Sequence, residues 1–221
     1  MIALESVTLR RGSTLVLDRQ SLEIKRGELF YLIGPSGAGK SSFLKLLYMD
    51  LFPDEGEVRV GEFRSSSMRK KDIPYLRRNL GIVFQDFRLF EDRTVYENIA
   101  FALEVTDVRA KEIPKKASAA LSEVGLSQKR NEYPRHLSGG EQQRVAIARA
   151  IVREPFVLLA DEPTGNLDPE TSLDIMLLLK KISLKGIAVV VVTHDYDIVQ
   201  RVPARAMRLK DGRLEDVRLG A

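Results

Sequence analysis

Short apolar runs alternate with amphipathic, helix-forming stretches along most of the chain, which has 221 residues. Several of the apolar runs are continuous rather than alternating, and they are rich in β-branched residues. Such strands are buried on both faces and are typical of a parallel sheet covered by helices. The pattern therefore predicts an α/β fold. The predicted strands are Ala3 to Leu9, Leu15 to Ile24, Leu29 to Ile33, Glu57 to Val60, Leu80 to Gln85, Phe156 to Ala160, Ile187 to Thr193 and Ala206 to Lys210.

The middle of the chain, from about residue 86 to residue 152, has helical periodicity instead of apolar runs. Thr94-x-x-Glu97 is a capping box, which predicts a helix that continues through Leu103. A second helix is predicted by apolar residues at helical spacing before Gly125. These residues are Ile113, Ala117, Leu121 and Val124.

The length suits one domain with a modest insertion and is sufficient to bury a large core. We expect a single domain over residues 1–221, in which residues 1–85 and 153–221 form the sheet-containing core. Residues 86–152 would form a helical subdomain inserted into it.

Composition excludes some kinds of site and leaves others open. Cysteine is absent, so the chain can form no disulfide, thiolate metal site or cysteine nucleophile. The net charge is only +4, because 35 basic residues nearly balance 31 acidic ones, and overall charge says little about partners. No basic-then-apolar leader opens the chain, and the apolar runs are far shorter than the roughly 20 residues that span a bilayer. We therefore expect a cytoplasmic protein unless a partner anchors it.

Residues 34–41 read GPSGAGKS and match the phosphate-binding pattern G-x-x-x-x-G-K-[ST] without a mismatch. The motif lies between a predicted strand and a helix-forming run from Ser41 to Met49, which is the order that it requires. Backbone N–H groups of such a loop can bind a nucleoside triphosphate. Lys40 can reach the β and γ phosphates, and the Ser41 hydroxyl can coordinate Mg²⁺. The predicted nucleotide-binding residues here are Gly34, Pro35, Ser36, Gly37, Ala38, Gly39, Lys40, Ser41 and Ser42.

Three further polar residues follow predicted strands. Asp161 can hold Mg²⁺, and Glu162 can orient and deprotonate an attacking water. In isolation such a pair is usually a loop with solvated charges, but the phosphate loop favours the catalytic interpretation. His194 would lie at the same carboxyl edge of the sheet, where ligands of open α/β folds bind, and we predict that it contacts the γ-phosphate. The predicted catalytic residues are Lys40, Glu162 and His194.

A last motif, Leu137-Ser138-Gly139-Gly140-Glu141, precedes Gln142-Gln143-Arg144 and a helical run, and it resembles the signature sequence of ABC-type ATPases. Ser138 and the amides of Gly139 and Gly140 would open a helix and form a second anion site. In isolation Ser-Gly-Gly would be an ordinary helix cap. Together with the phosphate-binding loop and the Asp161-Glu162 pair, it identifies the chain as a member of this family over essentially its whole length. The resemblance implies a P-loop NTPase core with an N-terminal antiparallel β-subdomain and an inserted α-helical subdomain.

The resemblance also assigns roles to individual residues. Gln85 would be the Q-loop glutamine that senses Mg²⁺ and the partner, and His194 would be the switch histidine. The cofactors implied are ATP and Mg²⁺, with Ser41, Gln85 and Asp161 as metal ligands. The implied D-loop is Asn166, Leu167 and Asp168, and the signature residues acting on the other subunit's ATP are Ser138, Gly139, Gly140 and Glu141. In the family, a phosphate loop and a signature face each other only across two subunits, with ATP between them. Since the chain has one of each, the resemblance implies a two-fold symmetric homodimer.

Within the family, the stretches 73–86 and 92–98 look like those of the ATPases that act in bacterial cell division. This resemblance implies an integral membrane subunit that holds the ATPase at the inner face of the membrane and passes a signal to cell-wall hydrolases. Lipoprotein-release and macrolide-efflux ATPases are the alternative. A soluble ATPase of translation or DNA repair would usually carry two ATPase units in one chain or a long coiled-coil insertion. The sequence shows neither, so this class is disfavoured. A kinase or GTPase is disfavoured by the signature and by the absence of an N-K-x-D sequence.

Two surface features complete the sequence predictions. Many members of the family place an aromatic residue before the second strand to stack on adenine, whereas this chain has Arg10 and Arg11; we expect Arg11 to stack there. Phe87, Leu89 and Phe90 crowd apolar side chains into a short charged connection, and we predict that they dock the membrane subunit, the alternative being that they pack on the inserted helices. No nucleic-acid partner is expected. The remaining basic cluster is interpreted as a solvated face and consists of Arg64, Arg69, Lys70, Lys71, Arg77 and Arg78.

Overall fold

The computed structural model describes residues 1–106 and 108–217, which form two β-sheets connected and covered by α-helices. The strands are β1 Ile2–Arg11, β2 Thr14–Ile24, β3 Leu29–Ile33, β4 Glu55–Val60, β5 Phe63–Arg64, β6 Leu80–Val83, β7 Val157–Asp161, β8 Ala188–Thr193, β9 Arg205–Lys210 and β10 Arg213–Asp216. The α-helices are α1 Lys40–Leu47, α2 Ile73–Arg78, α3 Val95–Glu104, α4 Ile113–Glu123, α5 Gly139–Ile151, α6 Pro169–Ser183 and α7 Tyr196–Arg201. Short 3₁₀ helices occupy Ala110–Glu112, Ser127–Lys129 and Pro134–His136.

The larger sheet has the order β10-β9-β3-β8-β7-β6, and all its neighbouring strands are parallel except β10, which pairs antiparallel with β9. Both faces of its central strands are buried. In β8, Val189 and Val191 face one core while Val190 and Val192 face the other, and none of the four is exposed. This two-sided burial explains the continuous apolar runs in the sequence.

The two faces of this sheet have different coverings. On one face, Val95 of α3 and Val145 of α5 share a continuous core with Tyr31 and Ile33 of β3. The other face packs against α1 and a smaller antiparallel sheet of order β2-β1-β4-β5. Within residues 86–106 and 108–152 there are helices and no strand, but they are not a separate hydrophobic unit, because their apolar faces belong to the core of the large sheet.

The predicted α/β class is confirmed, and all the predicted strands occur within two residues of their predicted ends. The prediction that Gln85 ends a strand is wrong, because pairing with β7 stops at Val83. Asp161 is the last residue of β7 rather than the first residue after it. Strands β5 and β10 were not predicted. Residues 218–221, which the sequence assigned to the core, lie outside the described residues.

Candidate nucleotide-binding site

The loop from residue 34 to residue 39 joins β3 to α1 and has the glycine conformations that a phosphate cradle requires. Gly37 and Gly39 have φ angles of 81° and 103°, in the left-handed region that glycine adopts readily. A Cβ added at Gly39 would lie 2.4 Å from Cγ1 of Val16 on β2, so the smaller sheet packs directly on the loop. Helix α1 begins at Lys40, and its first amides are therefore available to an anion at this loop.

Lys40 is buried beneath this loop, with 6% of its surface exposed. Its Nζ atom donates hydrogen bonds to the carbonyl oxygens of Gly34 at 2.8 Å and Pro35 at 3.1 Å. It also lies 3.5 Å from Oε1 of Glu162. The structure thus brings the predicted phosphate-binding lysine and the predicted catalytic carboxylate together.

Ser41 and Asp161 form the second pair of this site. The Ser41 hydroxyl donates to Oδ1 of Asp161 across 3.2 Å. Burial raises the pKa of Asp161, and the neighbouring charge of Glu162 raises it further, whereas the hydrogen bond from Ser41 opposes the shift.

A hydroxyl beside a carboxylate fits Mg²⁺, which binds a few hard protein oxygens and takes its other ligands from phosphates and water. No cluster of three or more His, Cys, Asp or Glu side chains that could hold a metal occurs in the described part of the chain. A Mg²⁺ ion at Ser41 and Asp161 would therefore depend on the phosphates for further ligands.

Glu162 lies between Lys40 and His194. Its Oε2 atom is 3.0 Å from Nδ1 of His194 and accepts the backbone N–H of the same residue at 3.2 Å. The φ angle of Glu162 is 47°, a left-handed conformation that is uncommon outside glycine. Its own N–H donates to the carbonyl of Val192 at 2.9 Å, which fixes the strained turn to β8. The carboxylate is held in one place beside the phosphate loop.

Gln85 and the predicted D-loop meet at the same edge of the sheet. A Cβ on Gly165 would lie 3.1 Å from Nε2 of Gln85, and Nδ2 of Asn166 donates to the Gln85 carbonyl across 3.5 Å. Among the described residues no hydrogen bond joins Gln85 to Ser41 or Asp161, so its assignment as a metal ligand stays a prediction.

Asp168, the last of the predicted D-loop residues, caps α6. Its side chain accepts the N–H groups of Thr171 at 3.0 Å and Glu170 at 3.1 Å. Hydrogen bonds from Thr171 are the main cause of the lowered pKa of Asp168. Leu167 lies beside the signature, because a Cβ added at Gly139 would be 3.2 Å from its Cδ2 atom. The D-loop therefore connects Gln85 to the signature.

The signature residues form the first turn of α5. The Ser138 N–H donates to Oε2 of Glu141 at 2.9 Å, and the Glu141 N–H donates to the Ser138 hydroxyl at 3.3 Å, which completes a capping box. A Cβ on Gly140 would lie 2.3 Å from Cγ2 of Thr171, so a side chain at this position would require Thr171 of α6 to shift. No hydrogen bond links the signature to residues 34–42 in the residues that the structure describes, and its action on another subunit's ATP stays a prediction.

Arg11 lies at the tip of the β1–β2 hairpin, paired with Thr14, and is exposed. The hairpin approaches the phosphate loop through the contact of Val16 with Gly39. The backbone of the neighbouring Arg10 is tied down, because its N–H donates to Oδ2 of Asp54 at 2.6 Å. Stacking of Arg11 on adenine stays a prediction.

The three residues predicted to dock a partner have different surroundings. Phe90 is 38% exposed and lines a groove of about 630 Å³, where its ring packs edge-to-face on Phe101 at 5.0 Å. Leu89 packs against the core, as in the alternative weighed from the sequence. Phe87 is half-buried and does not line the groove. Of the three, Phe90 is therefore the residue best placed for docking.

Two residues near this groove were not assigned a role from the sequence. Asn98 is fully buried, and its carboxamide binds both the N–H of Phe90 at 2.8 Å and the carbonyl of Phe90 at 3.0 Å. Arg149 donates to the carbonyls of Phe87 and Arg88. Their partners lie far away in sequence or are backbone atoms, so residue spacing gives no signal for either.

Comparison with known proteins shows the family of this chain. A family model described as ABC transporter matches residues 17–165, about two thirds of the chain. The chain belongs to the ABC transporter family. The cell division ATP-binding protein FtsE of Mycobacterium tuberculosis is 51% identical over 216 residues, which cover 97% of this chain and 94% of the relative. FtsE of Escherichia coli K12 is 42% identical over 203 residues, or 92% and 91% of the two chains.

Solved ABC cassettes also match this ABC ATPase domain over its full length. The dimeric structure of MJ0796, a bacterial ABC transporter cassette, has a TM-score of 0.84 at 38% identity and covers 100% of both chains. A dimeric post-hydrolysis state of MJ0796 bound to ADP and Pi also has a TM-score of 0.84, at 37% identity. No helix among the residues described here has both the length and the apolar character to cross a membrane.

Proposed function

We propose that this ABC ATPase is a Mg²⁺-dependent enzyme that hydrolyses ATP as a homodimer and drives a membrane complex in bacterial cell division. The observation that carries the proposal is the position of Glu162, held between Lys40 and His194 beside the phosphate loop. The names of the FtsE relatives support the cell-division role, and the dimers of MJ0796 support the homodimer.

The residues of the loop divide the chemical work. The amides at the start of α1 bind the phosphates, and the Lys40 ammonium, already at hydrogen-bonding distance from two loop carbonyls, offsets charge on the β and γ phosphates. Mg²⁺ bound at Ser41 and Asp161 would supply further charge neutralisation on the phosphate oxygens.

Glu162 is the general base of this proposal. It orients the attacking water and takes its proton, since Lys40 and His194 hold the carboxylate in one orientation. His194 contacts the γ-phosphate through the imidazole nitrogen that does not face Glu162. The signature at residues 138–141 of a second copy completes the site. Within each copy, the D-loop lies between Gln85 and that copy's own signature.

Arg11 is proposed to stack on adenine, which would contribute about 0.5–2 kcal/mol. Arg11→Ala should then lose roughly 2- to 30-fold in ATP affinity by calorimetry. An unchanged affinity would show that Arg10, or no side chain, covers the base.

The proposed membrane partner is an integral membrane subunit of the FtsX kind, which would keep this chain at the cytoplasmic face of the membrane. The groove beside Phe90 supports docking of a short helix, because both apolar and basic side chains line it. The apolar ones include Phe84, Phe90, Phe101 and Val105, and the basic ones include Arg77 and Arg149. Apolar anchors flanked by acidic residues on the partner would complement this surface.

Two measurements test the proposal. Purified protein should release phosphate from ATP in Mg²⁺ and stop when EDTA is added, and His194→Ala should lower the rate strongly while ATP still binds. His136→Ala, which removes the chain's other histidine, is the matched control. Phosphate release that ignores EDTA would contradict the Mg²⁺ dependence. A membrane subunit encoded with the chain that does not copurify with it would contradict the assembly.

A further inference from the structure

Arg149 occupies the last turn of α5, the helix whose first turn carries the signature. Its Nη1 atom donates to the carbonyl of Arg88 at 2.6 Å and its Nη2 atom to the carbonyl of Phe87 at 2.9 Å. It forms no ion pair with a carboxylate in the described part of the chain. Burial lowers the pKa of the Arg149 guanidinium. A partly buried cation is thus satisfied by two backbone carbonyls of one turn.

The two carbonyls belong to the turn that follows Gln85. Phe87 and Arg88 have φ angles of 54° and 51°, so two successive non-glycine residues adopt a left-handed conformation. This conformation is unfavourable for both residues and persists only where the surroundings hold it. One planar guanidinium that binds both carbonyls is such a restraint. A second contact lies within the turn itself, where the Nε atom of Arg88 is 3.1 Å from Oδ1 of Asp86.

The same guanidinium connects three parts of the molecule. Arg149 lines the groove beside Phe90, binds the turn that follows Gln85, and belongs to the helix that begins at the signature. At 1.5 Å per residue, about 16 Å of continuous helix separates Ser138 from Arg149. A rigid helix over this distance transmits displacement at one end to the other.

We infer that Arg149 is a positioning residue for ATP hydrolysis: it holds the turn after Gln85 in its left-handed conformation and fixes that turn to the signature helix. The inference rests on the proposed ATPase function. Arg149 acts through Gln85 and the signature rather than through contact with the nucleotide. We call its two hydrogen bonds to the carbonyls of Phe87 and Arg88 the Arg149 clamp. Loss of this clamp should lower turnover and leave nucleotide binding at the phosphate loop intact.

Arg149→Met tests the clamp, because methionine keeps the length of an apolar stem and removes the donors. Arg144→Met is the matched control: Arg144 also lies on α5 and donates to a carbonyl, that of Val124 at 3.2 Å, away from the turn. With Mg·ATP as the probe and the full chain as the enzyme, Arg149→Met should lower kcat about tenfold or more and change KM less than about twofold. Amide exchange at residues 86–90 should become about tenfold faster in the same variant. Both quantities should stay near parental values in Arg144→Met.

Parental kcat or parental exchange in Arg149→Met would overturn the inference, and so would a loss confined to KM. If Arg149→Met does not fold, Arg149→Lys decides the question, because it keeps the charge but lacks the planar pair of donors; parental behaviour of that variant would equally overturn the clamp. If the parent itself hydrolyses no ATP, the proposed function fails, while the exchange measurement still decides whether Arg149 holds the turn.

Discussion

Glu162 shows at the scale of one residue how backbone strain serves this site. A left-handed conformation costs a residue with a side chain about 1–2 kcal/mol, and Glu162 adopts it with a φ angle of 47°. The conformation turns its carboxylate toward Lys40 and His194. Asp161 adds a second unfavourable feature, a partly desolvated carboxyl with a raised pKa. Strain and desolvation of this kind cluster at functional sites.

Lys40→Ala should abolish tight binding of Mg·ATP. The lysine would supply charge-assisted hydrogen bonds to two phosphates, each worth about 1.5–3 kcal/mol, so the affinity should fall by about a hundredfold or more. Titration calorimetry measures this directly. Lys185→Ala, which removes a cation just before β8 at the opposite edge of the sheet, should bind ATP normally. Equal affinity in a folded Lys40→Ala protein would contradict the role given to the loop.

Asp161→Asn should stabilise the nucleotide-free protein at neutral pH. Because the pKa of Asp161 is raised in the folded state, ionisation of this carboxyl destabilises the fold. The free energy of unfolding is therefore higher at low pH and falls as the pH rises through that pKa. Asparagine resembles the protonated form, so the thermal midpoints of the two proteins in EDTA should converge at low pH and separate above it. The control is Asp174→Asn, at an exposed position of α6.

Asp161→Asn should also lose the thermal stabilisation that Mg·ATP gives the parent, since the substitution removes a proposed metal ligand. A variant less stable than the parent at every pH would show that the Asp161 charge is not desolvated as described.

At the scale of elements, the connection from β6 to α3 carries the side chains that are proposed to contact a partner. Asn98 fixes the backbone at Phe90, and Arg149 fixes it at Phe87 and Arg88. Between these restraints the Phe90 ring faces the groove rather than the core. The rigid presentation of an aromatic side chain is what an interface anchor requires.

Phe90→Ala should weaken binding to the membrane subunit by about 2 kcal/mol, which is roughly 30-fold in affinity. Phe52→Ala removes an aromatic ring that is similarly exposed, at 42%, and does not line the groove. Copurification and surface binding assays should distinguish the two variants. If Phe90→Ala retains the partner as well as Phe52→Ala does, or loses ATP binding along with it, the ring serves the fold and not the interface.

At the scale of the whole molecule, the sequence predicted the architecture because the buried strands of a parallel sheet are continuous apolar runs. It did not predict β10, whose residues Arg213–Asp216 are mostly polar and exposed at a sheet edge. It placed Lys40, Asp161, Glu162 and His194 at one edge because parallel strands end there together. It gave no sign of the Arg149 clamp, since a bond from a side chain to carbonyls about 60 residues earlier depends on tertiary packing alone.

The arrangement of the site leads to the central claim, that two copies of this chain enclose ATP. Glu162→Gln tests it most directly, because the amide keeps the shape of the base and cannot take a proton from water. The variant should bind Mg·ATP, hydrolyse it very slowly and accumulate as a dimer by size-exclusion chromatography with light scattering. The parent should remain largely monomeric once ATP is consumed. A Glu162→Gln protein that binds ATP and stays a monomer, or that hydrolyses ATP at the parental rate, would contradict the claim.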